Sequence, residues 1–544
     1  MITNFIYSVC CWLFSWNTIL VLLCLGVAAY YFGTRNHDYF ARNRIPSPPA
    51  WPFLGNSGKW ILGKASFYNV FQELYSAFPT SKVFGLFDFM GPVYVIRDFD
   101  LIKQICVKDF DSFIDRRFQF DEHSDPLFSN ALFSLKGVKW KNMRSILSPA
   151  FTGSKMRHML RFINEYCSGL NATLESMIAP GESKEFELED FLTKVSCDII
   201  ATCAFGLQMN NVKDGENEFY KMSRYMTHLN NWQWFKFVLF SSFPSLAKML
   251  GFTLFGPECT EFMRKTIKDI IDYRDRTGTV RQDLIHLLML ARDQKLKFED
   301  TDRDLNNLGL STAQDYPIEE IGTIPDWTLD VFVSQCFVFI FGGLDTVSKV
   351  ASFMAHELAI HPEVQEKLYT EIKTTLKAKG SEPITYEDIQ SLAYMDRVVT
   401  ETLRKWPQAQ FIDRVCTKPY NLDLGDDKSI PLVPGDFVWI PAMPLQRDPK
   451  YFPDPERFDP DRFAPERRDS LGNFVHLSFG IGPRNCLGNR FALMEMKTVF
   501  FWILSKFEIT PSSRTQNPLR IGKSLMVPQV EGGIYLNFKN RQPR

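Results

Sequence analysis

The chain has 544 residues, with 62 basic and 63 acidic side chains and a net charge of -1. That balance excludes the basic excess or stripe of a nucleic-acid binder, and 45% hydrophobic with 23% charged residues are the values of a large globular protein. Phe, with 49 copies, indicates a large apolar interior with room for an apolar ligand. None of the 11 cysteines forms a C-x-x-C pair, and a chain of this length needs no disulfide framework, so they read as reduced thiols in a cytosolic setting.

Residues 1–34 carry no charge, and Phe5 to Phe32 is almost continuously apolar. A bilayer span needs about 20 apolar residues, so one N-terminal transmembrane helix is expected over 1–34. The uncharged start and the long run argue against a cleaved secretory peptide. Arg35, Arg42 and Arg44 follow, which places the rest of the chain in the cytosol by the positive-inside tendency. No later stretch of that length is free of charge, so the expectation is single-pass. Residues 35–55, with Pro46, Pro48, Pro49, Pro52 and Gly55, read as a stiff proline-rich connector, and 56–544 as the catalytic body.

Within the body, Lys82–Phe87 and Val93–Ile96 read as a hairpin turning at Gly91-Pro92. From about Asp100 the pattern is mostly helical, with long helices expected at Phe186–Phe205 and Leu329–Ile360. Asn231–Phe262 is crowded with Trp and Phe. Residues 296–326, acidic and broken by Pro317 and Pro325, read as a surface loop. A helix begins at His361-Pro362 and runs to Lys379, a strand lies near Pro431–Ile440, Pro441–Pro465 is a proline-punctuated meander, and a last helix spans Leu487–Lys506. The expected fold class is mainly α with small β-sheets (α+β). The eight histidines show no metal-ligand spacing, and His356 and His361 read as core or cap residues.

The strongest chemical signal is Phe479-Gly480-Ile481-Gly482-Pro483-Arg484-Asn485-Cys486-Leu487-Gly488. A cysteine between glycines, beside an arginine and just before a helix, sits where unpaired N–H donors and the helix dipole favour a thiolate and lower its pKa. Gly482 and Gly488 would let the backbone approach a flat cofactor and aim N–H groups at the sulfur, and Arg484 is placed to neutralise an anion. These ten residues resemble the cysteine-loop signature F-x-x-G-x-R-x-C-x-G of the cytochrome P450 superfamily at every fixed place. The resemblance implies the cytochrome P450 fold, haem b (iron protoporphyrin IX) as cofactor, and Cys486 as its proximal metal ligand.

Other motifs follow in the family's order. Gly342-Gly343-Leu344-Asp345-Thr346 resembles the distal-helix motif and departs from it only where Val347 replaces Thr or Ser; mid-helix glycines suggest a local bulge or a ligand nearby. The resemblance makes Asp345 and Thr346 the acid–alcohol pair that delivers protons. Glu401-Thr402-Leu403-Arg404 resembles E-x-x-R, whose third member is assigned to Arg462 rather than Arg457 from its distance to Cys486. Trp140-Lys141-Asn142-Met143-Arg144 resembles W-x-x-x-R, whose indole and guanidinium donate to one haem propionate. Arg116, Arg414 and Arg484 are assigned to the same propionates.

The resemblance covers nearly the whole chain beyond the proline connector. The stretch Phe479–Lys497 looks like the microsomal clan that includes vertebrate family-3 and insect family-6 and family-9 enzymes, and Gly-Gly-Leu-Asp-Thr-Val-Ser with the Phe-rich body looks most like the insect family-9 group. It implies a monooxygenase of the endoplasmic reticulum membrane that inserts one atom of O2 into lipophilic foreign compounds such as plant toxins or insecticides. Electrons would come from NADPH through an NADPH-cytochrome reductase, with cytochrome b5 as a second donor. The reductase is expected near Lys139, Lys141 and Arg144, the substrate roof at Phe110–Phe133, and membrane lipid contact at Trp232–Phe255. The alternatives are a haem-thiolate isomerase or dehydratase, and a non-enzymatic haem carrier or sensor; retention of Asp345-Thr346 argues against both.

Overall fold

The computed structural model describes residues 16–117, 120, 125–293, 295, 327–425, 427–468, 476–522 and 528–541. The loop expected at 296–326 lies outside the described residues, as do 1–15 of the apolar N-terminus. The rest of that run is helix α1 (Trp16–Thr34), with Leu20, Leu22, Leu23 and Leu25 exposed along it. Its C-terminal end is packed on the connector: the Phe53 amide donates to the Gly33 carbonyl at 3.3 Å, and the Phe53 ring lies 6.3 Å from that of Phe32.

Strands β1 (Val83–Asp88) and β2 (Gly91–Ile96) form the expected hairpin, but the turn falls at Phe89-Met90, because Gly91 pairs with Asp88 and Pro92 with Phe87. Proline is tolerated there because the parallel ladder on the other edge of β2 starts only at Val93, beyond the missing N–H. Helices α2 (Gly137–Leu147) and α3 (Gly153–Met177) follow. The helix expected over Phe186–Phe205 is shorter. Its first residues belong to strand β3 (Ser183–Glu187), and α4 (Leu188–Ile200) starts where the Glu187 carboxylate accepts from the Asp190 amide at 2.7 Å. A wider π turn, Ala201–Phe205, ends at Gly206, whose φ is 73°.

Helix α5 (Glu218–Thr227) leads to α6 (Asn231–Ser242), started by a capping box between Asn230 and Gln233. Helix α7 (Pro257–Thr277) precedes α8 (Leu329–Ile360), whose 32 residues match the expected span. Among the described residues α8 is long and apolar enough to cross a membrane, yet 56% of its most apolar window is buried in protein, which makes it the central core helix. Helix α9 (Pro362–Lys379) begins as expected after His361, which closes α8, while His356 is buried with Nε2 2.8 Å from the Gln516 carbonyl.

After α10 (Ala393–Lys405) come β4 (Ile412–Val415), β5 (Tyr420–Gly425), β6 (Lys428–Leu432) and β7 (Phe437–Ile440). The strand region expected near Pro431–Ile440, around the Pro434-Gly435 turn, is two strands, and that turn, with Gly435 at φ 101°, separates β6 from β7. The final helix α11 (Asn489–Lys506) starts two residues later than expected, with Gly488 as its N-cap, and β8 (Phe507–Pro511) and β9 (Tyr535–Asn540) complete the body. The sheets run β1-β2-β7-β4, β3-β9-β8 and β5-β6. The mainly helical body with small sheets is the expected class.

One buried charge network ties α10 to the meander. Arg404 donates from Nε to Glu401 Oε2 at 2.7 Å and from Nη2 to Oε1 at 2.9 Å, and Arg462 Nε reaches Oε1 at 3.3 Å. All three residues are buried, and the assignment of Arg462 as third member matches this contact. Their remaining N–H groups hold the irregular chain: Arg404 donates to the carbonyls of Gln446 (3.0 Å) and Pro455 (2.8 Å), and Arg462 to those of Pro453 and Asp454. The network continues through the Gln446 side chain, which accepts from the Leu477 amide at 2.9 Å, at the threshold of the cysteine loop.

Glu495 on α11 is also buried, and its carboxyl is pushed up to about 8 by burial, against the pull of the Ser196 hydroxyl. Such a group stays protonated in the folded chain while the unfolded chain ionises near 4.5, so stability falls as pH rises between those values and is level above them. Accordingly, Glu495→Gln should melt close to wild type near pH 4 and progressively above it toward pH 8; a pH-independent difference would contradict this. Glu401→Gln leaves two buried guanidiniums uncompensated and should cost about 3–5 kcal/mol in urea unfolding, which an unchanged urea midpoint would refute.

Candidate functional site

The ten-residue loop ahead of α11 is folded by its own backbone. The Asn485 amide donates to the Gly482 carbonyl at 2.9 Å and the Cys486 amide to the Phe479 carbonyl at 2.7 Å. Gly482 has φ 79°, and a Cβ there would lie 1.8 Å from the Cys106 carbonyl oxygen. Its freedom serves close packing against the Cys106 backbone. Gly488 fills the other expected role, since its backbone N–H donates to the Cys486 sulfur.

Cys486 is exposed by area, yet burial raises its thiol above the ordinary value, against the opposing pull of the Gly488 N–H and of the Arg144 and Arg116 guanidiniums. Both observations fit a side chain on the wall of an interior space. α11 begins three residues after Cys486, and burial is the largest of the influences on the thiol. Metal coordination itself deprotonates a thiol outright.

Four guanidiniums surround this loop. Arg144 is buried and donates to the Asn485 carbonyl at 2.8 Å and to Asn485 Oδ1 at 2.7 Å. It anchors the residue next to Cys486, which corrects its expected place in a reductase-docking face. Lys141 pairs with Asp111 at 2.9 Å, and Lys139 is exposed. Arg484 donates to the carbonyls of Ile114 (3.0 Å), Leu132 (3.4 Å) and Leu135 (2.6 Å), with its guanidinium 4.4 Å from the Trp140 ring centre. Trp140 faces the Arg484 guanidinium, and Arg144 faces the Asn485 side chain. Arg116 reaches the Arg484 carbonyl and Arg414 the Ile481 carbonyl, each at 3.4 Å, and the Nε of both is buried without an acceptor.

Charge in this cluster is unbalanced. Burial, with Arg116 and Arg414 nearby, holds the Arg484 guanidinium well below its usual range, and Asp115 and Asp413 pull the other way. Both carboxylates are already engaged, Asp115 by the Gly137 amide and Asp413 by the Arg117 amide. Buried positive charge with unmet donors calls for an anion. A haem, with two carboxylates at one edge and an iron for the thiolate, fits this donor set.

On α8 the glycine pair leaves the helix unbroken, so the expected bulge is absent. Gly343 packs where a Cβ would meet Ile200 at 3.0 Å, whereas nothing lies within 4 Å of a Cβ at Gly342. Thr346 donates to the Gly342 carbonyl at 2.6 Å. Asp345 is paired with Lys349 at 2.7 Å, a partner that the i, i+4 spacing made readable and the sequence analysis missed. Of the expected roof, residues 118, 119 and 121–124 lie outside the described residues; Phe128 stacks among Phe120, Phe255, Phe337 and Phe341, with ring centres 4.7–5.4 Å apart.

The family model described as Cytochrome P450 matches residues 45–538. "Cytochrome P450 9e2" of Blattella germanica is 39% identical, over 97% of this chain and 98% of its own. "Probable cytochrome P450 9f2" of Drosophila melanogaster is 35% identical, over 97% and 99%. "Cytochrome P450 6k1" of Blattella germanica is 34% identical, over 96% and 97%. With its whole body matched, a thiol facing inward from the signature loop and insect family-9 members among its relatives, the chain belongs to the cytochrome P450 family of haem-thiolate monooxygenases.

Proposed function

We propose that this protein is a single-pass monooxygenase of the endoplasmic reticulum membrane, with a cytosolic body, that oxidises lipophilic xenobiotics such as plant toxins or insecticides. Electrons come from NADPH through an NADPH-cytochrome reductase, with cytochrome b5 as a second donor. The observation that carries the reading is the inward-facing Cys486 beside a buried guanidinium cluster with unmet donors.

In this reading Cys486 would hold the haem iron through its sulfur, and Arg116 and Arg414, whose Nε groups lack acceptors, would hold the propionates. Trp140 and Arg484 line the same edge, while Arg144 fixes the loop through Asn485. The bound haem supplies dioxygen activation; the chain supplies the ligand, the pocket and the protons. Thr346 holds a proton at Oγ1, parked on the Gly342 carbonyl, and would pass it on when that bond opens; Asp345, once it leaves Lys349 and takes up a proton from solvent, would return one to Thr346. The Phe120–Phe128–Phe341 aromatic wall excludes water and receives apolar substrate.

Membrane attachment rests on α1, 19 residues or about 28 Å at 1.5 Å per residue, with exposed apolar side chains and the basic flank of Arg35, Arg42 and Arg44. Trp232, Phe235, Met249 and Leu250 are exposed, a patch suited to the lipid surface.

Cys486→Ala should keep the fold by circular dichroism but lose the thiolate-ligated signature of the reduced, carbon monoxide-bound haem; an unchanged spectrum would end the ligand assignment. Thr346→Ala should consume NADPH while releasing peroxide in place of product. Full coupling in that variant would remove Thr346 from the proton route.

A further inference from the structure

Asp345 does not stand alone on α8. Glu189 from the first turn of α4 and His228 at the C-cap of α5 approach it, and one ligand atom from each of the three lies within 4.8 Å of the others. His228 Nδ1 is 3.9 Å from Glu189 Oε1, and Lys349 Nζ is 4.0 Å from that same oxygen. Lys349 is thus hydrogen-bonded to Asp345 but only near Glu189, so one ammonium serves two carboxylates. The next cation, Arg224, is engaged by Asp190 at 3.0 Å. His228 is 41% exposed while Asp345 and Lys349 are 13% and 8% exposed, so the cluster opens to solvent on the imidazole side.

Two carboxylates and an imidazole, neutral at pH 7 by its ordinary pKa of about 6.5, make a mixed oxygen and nitrogen donor set of the kind that zinc-class divalent ions take. The three residues come from three elements, which is why spacing along the chain did not show them. We propose that Glu189, His228 and Asp345 form a binding site for a divalent cation of the zinc class, in which the Lys349 ammonium is the resident competitor that an incoming ion displaces. Occupation would fix Asp345 in place. The assignment rests on the donor geometry and stands independently of any role of Asp345 in oxidation.

The test is calorimetric titration of Zn2+ into the full-length, haem-loaded protein and its variants. His228→Asn removes a ligand and should weaken binding by roughly tenfold or more. Lys349→Gln removes the competing charge and should tighten it by roughly tenfold. Opposite shifts in the two variants support the site. Equal affinity in all three proteins means an adventitious ion held elsewhere and overturns it, as does weaker binding in Lys349→Gln. Should Lys349→Gln fail to load haem, Asp345→Asn replaces it, and binding unchanged from wild type overturns the proposal equally.

Discussion

A carboxylate without water holds the irregular half of this molecule in place. Glu401 is fully buried and bound by two guanidiniums, and each guanidinium turns its other donors on carbonyls of the meander. Buried ion pairs are poor sources of net stability, because desolvation offsets attraction. What this one supplies is position. From Arg404 through Gln446 to the Leu477 amide, a continuous run of hydrogen bonds ends at the loop that presents Cys486.

The loop then meets a different electrostatic condition. Around Glu401 two guanidiniums share one carboxylate and place their other donors on carbonyls; around Cys486 some guanidinium donors have no acceptor. Arg414 and Arg484 are buried with the half-buried Arg116 beside them, and the carboxylates near them accept from backbone amides. The Nε donors of Arg116 and Arg414 lack acceptors, and a group carrying negative charge would meet them. The deficit and the inward thiol are parts of one arrangement, shaped around a group that brings negative charge at its rim and a metal at its centre.

Much of this was legible in the sequence. The 32-residue core helix, the helix after His361 and the third member of the Glu401 network fell where pattern and spacing put them. The misses share a cause, which is that partners distant in sequence decide local geometry. Pro92 is in a strand because β7 pairs only beyond it; Gly482 is needed for a carbonyl nearly four hundred positions away; Arg144 faces Asn485 and not solvent.

Two neighbouring glycines on α8 divide their labour. At Gly343 the missing side chain lets α4 come close, with Ile200 3.0 Å from where a Cβ would be; at Gly342 it leaves open space next to the Thr346 hydroxyl bond. A methyl group added at one position presses on the scaffold, while the same methyl one residue earlier only narrows the chamber. Variation among paralogues, or deliberate engineering of selectivity, therefore has an address on this helix where volume can change without disturbing its seat.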